Sequence, residues 1–270
     1  MNIPSEVVIR LACFFSVLLA MAVWEWRAPR RRLSLKRPWR WGSNIGLVVL
    51  NGLLVRLLVP MTAVGAAIHA QTQGWGLLNI VDWPMWLEVA IGILVFDLAI
   101  YGQHVLFHAI PWLWRLHMVH HADMDFDVTT GLRFHTFEIL LSALIKLAVV
   151  IVLGPAAIAV VAFEVMLNAT SMFNHSNVSI PLRLDRVLRF LVVTPDMHRV
   201  HHSIIRRETN SNFGFNLPWW DYLFRTYVPQ PKDSHEHMSI GVKELRDEHQ
   251  TERLTGMLQL PFRSNSKRKP

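Results

Sequence analysis

Residues 97–138 read DLAIYGQHVLFHAIPWLWRLHMVHHADMDFDVTTGLRFHTFE, a stretch that begins inside an apolar segment and carries six histidines. If residues 93–109 are helical, Asp97, His104 and His108 lie on one face, because seven and four residues separate them. The residues three and four positions after His117 are also histidines, which again favours one helix face. The stretch therefore predicts helices that aim imidazoles toward a shared interior.

A second group of histidines lies further along the chain. His198 is followed by histidines three and four positions later, and Thr194 and Pro195 before it are typical of a helix start. Together with a lone histidine between the triplets, nine imidazoles are candidate metal ligands: His104, His108, His117, His120, His121, His175, His198, His201 and His202. Nine donors exceed what one tetrahedral or octahedral ion accepts, so the pattern predicts two ions bound by facing helices.

The composition indicates an integral membrane protein. Of the 270 residues, 52% are hydrophobic and only 17% are charged, and the mean hydropathy is +0.28. Cys13 is the only cysteine, which excludes an intramolecular disulfide and a cysteine-based metal site. The net charge of +7 comes from loops beside apolar spans, so membrane orientation explains it better than a nucleic-acid partner.

The order of apolar segments predicts an all-α, multi-pass helical bundle with four to five membrane-embedded helices. The expected spans are residues 7–26, 42–70, 84–107, 137–153 and 155–173. The basic loop at residues 27–40 predicts a cytoplasmic position, which puts the amino terminus outside and the histidines in a helical cap on the cytoplasmic side. Lys146 and Glu164 are costly inside the bilayer and are expected to be paired, inward-facing or displaced by tilt. An amphipathic helix is expected on the membrane surface at residues 182–192.

Five motifs resemble those of the sterol desaturase and fatty acid hydroxylase superfamily. They are His104-x3-His108, RLHMVHH at residues 115–121, GLRFHTFE at 131–138, NHSN at 174–177 and DMHRVHHS at 196–203; the segments NFG at 212–214 and WDYLFRT at 220–226 are also similar. The resemblance covers residues 83–227. Thr136 stands where the family commonly has proline, and Arg225 where it has glycine.

The resemblance implies a membrane-bound di-iron oxygenase that uses dioxygen and external electrons to hydroxylate or desaturate a lipid C–H bond. The nine histidines carry over as ligands of two iron ions, and His135 is either a further ligand or a supporting residue. A ligating imidazole usually donates its second N–H to a carboxylate or carbonyl. The candidates for such support are Asp97, Glu138, Asn174 and Asp221, with Asp97 favoured by its helical spacing.

The expected organisation has three regions. Residues 1–82 hold the first membrane helices and the basic loop, 83–228 form the catalytic region, and 229–270 form a polar, partly ordered tail that ends in basic residues. The expected partners are a membrane lipid (fatty acyl, sphingolipid or sterol-like) and a separate ferredoxin-like or cytochrome b5-like electron donor with its reductase. The absence of a targeting signal leaves a bacterial inner membrane or an internal eukaryotic membrane open, and the short chain with no retention signal favours the former.

Two other classes stay open at this point. A bis-histidine haem electron carrier needs axial histidines on facing spans, and clustered triplets at one membrane face argue against it. A metal transporter needs ligands and acids near the bilayer midplane along a path, whereas these histidines crowd one end. Neither the lipid substrate nor the choice between hydroxylation and desaturation can be derived from the residues.

Overall fold

The computed structural model describes residues 3–263, with side chains from residue 6 onward, and this part of the chain is helical with two isolated β-bridges and no strand. Five segments are long and apolar enough to cross a membrane: Glu6–Arg27, Arg37–Asn79, Met85–Ala109, Thr136–Leu153 and Ala157–Asn174. The predicted all-α membrane bundle is therefore confirmed, and the chain is a multi-pass integral membrane protein.

The long helices follow the predicted spans closely. They are α1 (Ile3–Arg27), α2 (Arg37–Leu58), α3 (Ala63–Gln73), α4 (Met85–Ala109), α6 (Thr136–Leu153) and α7 (Ala157–Asn174), and the helix α5 (Pro111–His121) lies between α4 and α6. Shorter helices follow: α8 (Leu182–Leu188), α9 (Pro195–His201), α10 (Arg206–Thr209), α11 (Trp219–Leu223), α12 (Glu248–Thr251) and α13 (Leu254–Gln259). Single 3-10 turns occur at Leu77–Asn79, Thr130–Leu132 and Leu260–Phe262.

The second predicted span is two helices rather than one. α2 ends at Leu58 and α3 begins at Ala63, with Thr62 capping α3 by accepting from the backbone N–H of Gly65 at 3.0 Å. Pro60 lies in the break, where it lacks a backbone N–H and its ring would clash with the preceding turn of a continuous helix. The predicted span over residues 42–70 is therefore divided into two helices.

The two ends of the bundle are held by different contacts. At one end the α6–α7 turn meets the segment after α3: a Cβ on Gly76 would lie 2.3 Å from the backbone nitrogen of Gly154, and Asn79 Nδ2 donates to the Gly154 carbonyl at 3.1 Å. At the other end the backbone N–H of Arg30 donates to the Asn177 carbonyl at 2.8 Å. The helical hairpin therefore carries the chain to the far end and back, as predicted.

Three charged residues within the spans are paired with one another. Lys146 on α6 contacts Glu164 on α7, and Arg10 on α1 forms an ion pair with Glu164 at 2.5 Å. Charged groups in an apolar surrounding are stabilised only when they have partners, and this trio joins three helices. The expectation that Lys146 and Glu164 are paired is confirmed.

The predicted amphipathic helix at residues 182–192 needs correction. The amphipathic helix is only α8, seven residues long, and residues 189–192 leave the helix in turns while exposing Phe190 and Leu191. The tail is packed through Arg263, with Leu245, Met257 and Leu260 buried, because its scattered apolar residues cover α5. The basic residues Lys267, Arg268 and Lys269 lie outside the described residues.

Candidate metal centre

The nine predicted histidines converge in the interior, each 5% exposed or less. They form two groups in which one nitrogen of each ring lies within 4.8 Å of the others. The first group is His104, His108, His117, His121 and His201; the second is His120, His175, His198 and His202. The candidate ligands of the sequence therefore lie close together, and each of the two groups could hold a metal ion.

The two groups are interleaved rather than split by sequence. α5 sends His117 and His121 to the first group and His120 to the second. α9 and its C-cap do the reverse, giving His198 and His202 to the second group and His201 to the first. Adjacent residues on a helix point about 100° apart, so each triplet can serve two centres that lie side by side.

The nitrogen positions fit metal ligation. His108 Nε2 lies 3.1 Å from His121 Nε2, and His175 Nε2 lies 3.1 Å from His120 Nε2 and 3.0 Å from His198 Nε2. Two nitrogens bound at right angles to one ion, each ~2.1 Å from it, lie ~3.0 Å apart. Further buried ring nitrogens have no hydrogen-bond partner among the described residues, namely those of His104 (Nε2), His117 (Nε2), His121 (Nδ1), His198 (Nδ1), His201 (Nε2) and His202 (both). Buried polar atoms without partners are costly, and a bound cation supplies the missing partner.

Most of the opposite nitrogens are held by acceptors. The Nδ1 atoms donate to the following oxygens: His104 to the Phe213 carbonyl (2.8 Å), His117 to Glu138 Oε1 (2.7 Å), His120 to the Arg133 carbonyl (3.2 Å), His175 to the Ser171 carbonyl (2.8 Å), His201 to the Ser211 carbonyl (2.7 Å) and His108 to Asn210 Oδ1 (3.3 Å). A carbonyl or carboxylate can only accept, so Nδ1 carries the proton. This fixes the tautomer that leaves the Nε2 lone pair free for a metal.

Burial keeps these imidazoles neutral. Desolvation lowers the pKa of His117 and of His175 from 6.5 to about 3. The pKa values of His120, His198 and His202 fall well below the usual value, because burial and then neighbouring imidazoles disfavour the charged form. Neutral imidazole is the ligating form, so the site is prepared for a cation at neutral pH.

Two of the predicted supporting carboxylates act on the histidines. Glu138 accepts directly from His117, as its place beside the histidine motif suggested. Asp221 acts on a histidine indirectly, through Phe213. Its two oxygens accept from the backbone N–H groups of Phe213 and Gly214, each at 2.8 Å. Because the Phe213 carbonyl accepts from His104, Asp221 fixes the loop that orients this ring.

Asp97 and Asn174 hold the same loop without contacting a histidine. Asp97 accepts from Asn216 Nδ2 at 2.6 Å and from Trp220 Nε1 at 2.8 Å, and Asn174 Nδ2 donates to the Phe215 carbonyl at 2.8 Å. Asp97 was predicted to accept from the α4 histidines, but it contacts neither of them. Helical spacing placed Asp97 on the correct face, but its carboxylate accepts from Asn216, Leu217 and Trp220 instead.

His135 lies outside both groups. Its Nδ1 accepts from the backbone N–H of Phe137 at 3.2 Å, which caps α6, and its Nε2 donates to the Leu258 carbonyl at 3.3 Å. With both nitrogens engaged by the backbone, His135 is not positioned as a ligand. Thr136 takes the first helical position, where proline is also accepted, and donates to Asn51 Oδ1 at 2.7 Å.

The loop that joins α5 to α6 supports the site, and the sequence patterns did not predict this role. Asp123 and Asp127 in this loop each form an ion pair with the buried Arg40 of α2 at 2.8 Å, and Asp125 accepts from the backbone N–H groups of Ser34 and Leu35. Three acids at alternate positions were a visible signal, but only the fold supplies their basic partner. The ion pairs anchor the end of α5 that carries His120 and His121.

A largely apolar cavity of about 380 Å³ lies between the membrane helices, and some residues of its wall contact the histidines. Its wall includes Phe134, stacked on His120 with ring centroids 4.4 Å apart, and Glu138, the partner of His117. The remainder of the wall comes mainly from apolar residues of α1, α2, α4, α6 and α7: Phe14, Val48, Val55, Ile100, Ile139 and Leu167. The cavity is therefore separated from the candidate ligands by one layer of side chains that contact both.

Comparisons with known proteins agree with this geometry. An ornithine lipid hydroxylase, OlsE, of Rhizobium tropici is 30% identical over 60% of this chain and 48% of its own length. An alkylglycerol monooxygenase of Xenopus tropicalis is 24% identical over 80% of this chain and 46% of its own, and a cholesterol 25-hydroxylase of Mus musculus is 28% identical over 53% and 48%. The chain thus spans about half the length of these curated relatives. No solved structure matches.

The matched region contains all nine histidines. The model of the fatty acid hydroxylase family matches residues 89–226, slightly more than half of the chain. This range runs from α4 to just beyond α11 and so includes the loop held by Asp97 and Asp221. The chain belongs to the fatty acid hydroxylase family.

Proposed function

We propose that this protein hydroxylates a C–H bond of a membrane lipid, using dioxygen and electrons from a separate protein at a centre of two iron ions. The observation that carries the proposal is the pair of buried histidine groups next to an apolar cavity whose wall residues contact them. The relatives described as acting on ornithine lipid, alkylglycerol and cholesterol support a lipid substrate. Their descriptions as hydroxylases and a monooxygenase favour hydroxylation over desaturation.

The residues of this chain fit two ions held entirely by imidazole. The first group would hold one ion through five rings and the second would hold the other through four. Such a centre supplies the activation of dioxygen, which the protein side chains do not supply. The choice of iron rests on the family, because imidazole also suits zinc, copper and nickel.

The contribution of the protein is to orient, to exclude water and to place the substrate. The carbonyls of Ser171, Phe213 and Ser211 fix three ring orientations, so the ligands need not reorganise when an ion binds. The apolar walls of the cavity exclude water from the reacting carbon. A lipid chain entering between the membrane helices would end beside Phe134 and Phe215, both of which contact the histidines.

The two competing classes are less well supported. A haem carrier requires two axial histidines separated by the thickness of a flat ring, whereas ring nitrogens here approach to 3.0–3.1 Å. A transporter requires ligands along a path across the membrane, whereas these histidines are gathered at one end of the bundle.

We further propose that the histidine end of the bundle faces the cytoplasm. Exposed basic residues at this end, including Arg27, Arg32 and Lys36, follow the positive-inside rule. The same residues would steer a small acidic donor such as a ferredoxin-like or cytochrome b5-like protein. A bacterial inner membrane is the proposed location.

The test compares the lipids of cells that express the wild-type protein, His201→Ala and, as a matched control, the exposed His237→Ala. Cells are grown under air, under nitrogen and under ¹⁸O-labelled dioxygen. We expect a new lipid that carries one labelled oxygen atom with the wild-type and control proteins, and none with His201→Ala or under nitrogen. A new lipid that forms without oxygen, or with His201→Ala, would refute the proposal. A product that has lost two hydrogens would indicate desaturation.

A further inference from the structure

His120 is oriented by two residues of the loop that joins α5 to α6, Arg133 and Phe134. Its Nδ1 donates to the carbonyl of Arg133 at 3.2 Å, and the ring of Phe134 stacks on it at an interplanar angle of 13°. The direction of this imidazole therefore depends on where the backbone of residues 133–134 lies.

Arg133 also grips α5 next to His120. Its side chain turns back, and Nε donates to the carbonyl of Val119 at 2.8 Å. The guanidinium of Arg133 thus contacts α5 at the residue before His120, and the carbonyl of Arg133 accepts from the His120 imidazole. Displacing the guanidinium would move both supports of this ring.

The counter-ion of this guanidinium comes from the carboxyl-terminal segment. Arg133 has no exposed surface, and its Nη1 donates to Glu252 Oε2 at 2.7 Å while Nη2 contacts the Thr251 carbonyl. The other oxygen of Glu252 accepts from the backbone N–H of Met124 at 3.2 Å. Asp123 lies 3.9 Å from Arg133 but is bonded to Arg40. A buried charge needs a close partner, and Glu252 is the one in direct contact.

The carboxyl-terminal segment also supports α5 by packing. Its residues Leu245, Met257 and Leu260 form one buried cluster with Trp114, Met118 and Val119 of α5. This segment lies beyond residue 226, where the family match ends. It is an element of this chain, outside the family region, that backs the helix carrying three of the candidate ligands.

We infer that Glu252 is a positioning residue for the four-histidine group, acting on His120 through Arg133. The inference rests on the proposed two-metal centre. Because the carbonyl of Arg133 accepts from His120 and from no ring of the other group, loss of Glu252 weakens metal binding more at the four-histidine group than at the five-histidine group. Loss of an outer partner of a ligating histidine typically lowers metal affinity about 10- to 100-fold.

The experiment is a cobalt(II) titration of the full-length, metal-free protein in detergent, followed by visible absorption and by counting retained cobalt after desalting. The variants are Glu252→Gln and the control Glu248→Gln, an exposed acid in the same segment. We expect two equivalents to bind tightly to the wild type and to the control. Glu252→Gln should bind one equivalent tightly and the second at least about tenfold more weakly.

A double variant separates positioning from folding. Arg133→Met combined with Glu252→Leu removes the buried charge pair, which proteins often tolerate without loss of stability, but it also removes the grip on Val119. We expect this variant to keep the wild-type melting temperature and still bind the second equivalent weakly. Two tight equivalents in either Glu252 variant, or equal weakening of both, would overturn the inference. A wild type that binds fewer than two equivalents would refute the two-metal centre itself, and the inference with it.

Discussion

Gly131 offers a sharp test of how the four-histidine group is held. A Cβ at this position would lie 2.4 Å from the Ser171 carbonyl oxygen and 3.1 Å from His175 Nδ1. Ordinary contact begins at 3.4 Å, so Gly131→Ala requires the two segments to separate by about 1 Å. The Ser171 carbonyl is the acceptor that orients His175. Since metal–ligand distances tolerate only about ±0.2 Å, a shift of this size misplaces the ligand.

The expected result is a local loss of metal with a moderate loss of stability. Overpacking of this kind costs about 1–3 kcal/mol, and the misplaced His175 should lower the affinity of its group about tenfold or more. The assay loads purified protein with iron(II) under anaerobic conditions, then measures iron per chain and the melting temperature. Gly102→Ala is the matched control, because a Cβ there has no neighbour within 4 Å. Wild-type iron affinity in Gly131→Ala would refute the reasoning.

Three further predictions concern the cavity, the backbone and pH. Gly52→Leu, which extends into the cavity from a position with no atom within 4 Å of the new Cβ, should reduce lipid product but not iron content, whereas Gly52→Ala should change neither. Arg225 has a φ of 59°, so Arg225→Gly should raise the free energy of unfolding by about 1 kcal/mol in a denaturant titration. The metal-free protein should lose stability as pH falls from 6.5 toward 3, because only the unfolded state then binds protons at His117 and His175. At pH 5 each histidine lowers the free energy of unfolding by about 2 kcal/mol. An unfolding free energy that does not change with pH would contradict the burial of neutral rings.

The sequence was most informative where a pattern is local. Helical spacing identified α4, α5 and the α6–α7 hairpin, and the nine histidines all reach the interior. The predicted helix cap at Thr194 is also present: its side chain accepts from the backbone N–H of Met197 at 3.3 Å at the start of α9. These features depend on residues within one or two turns of each other, which a linear pattern contains.

The features that could not be predicted depend on contacts between distant segments. The acceptors of most histidine N–H groups are backbone carbonyls, which every residue has. The residue types of Phe213 and Ser211 therefore do not predict that these residues accept from histidines. The interleaving of the two groups depends on how α5 and α9 face each other. Asp97 was assigned to the wrong partner because the loop carrying Asn216 is more than one hundred positions away along the chain.

The carboxyl-terminal segment illustrates the same limit. Its composition is polar, which is typical of a partly ordered tail, yet a few well-spaced apolar residues and Glu252 pack it against α5 and the buried Arg133. Composition averages over a segment, whereas packing depends on which residues face the core. The division of the chain into three regions stays a prediction, and its third region supports the proposed metal centre.

The proposed two-iron centre is tested by the amount of iron bound per chain. Full-length protein is loaded with iron(II) without oxygen, desalted and analysed for metal by mass spectrometry, beside the variants His120→Ala and His201→Ala, each of which removes one ring from a different group. We expect two irons in the wild type and loss of one, from a different group, in each variant. A wild type that retains one iron or none, or variants that retain both, would contradict it.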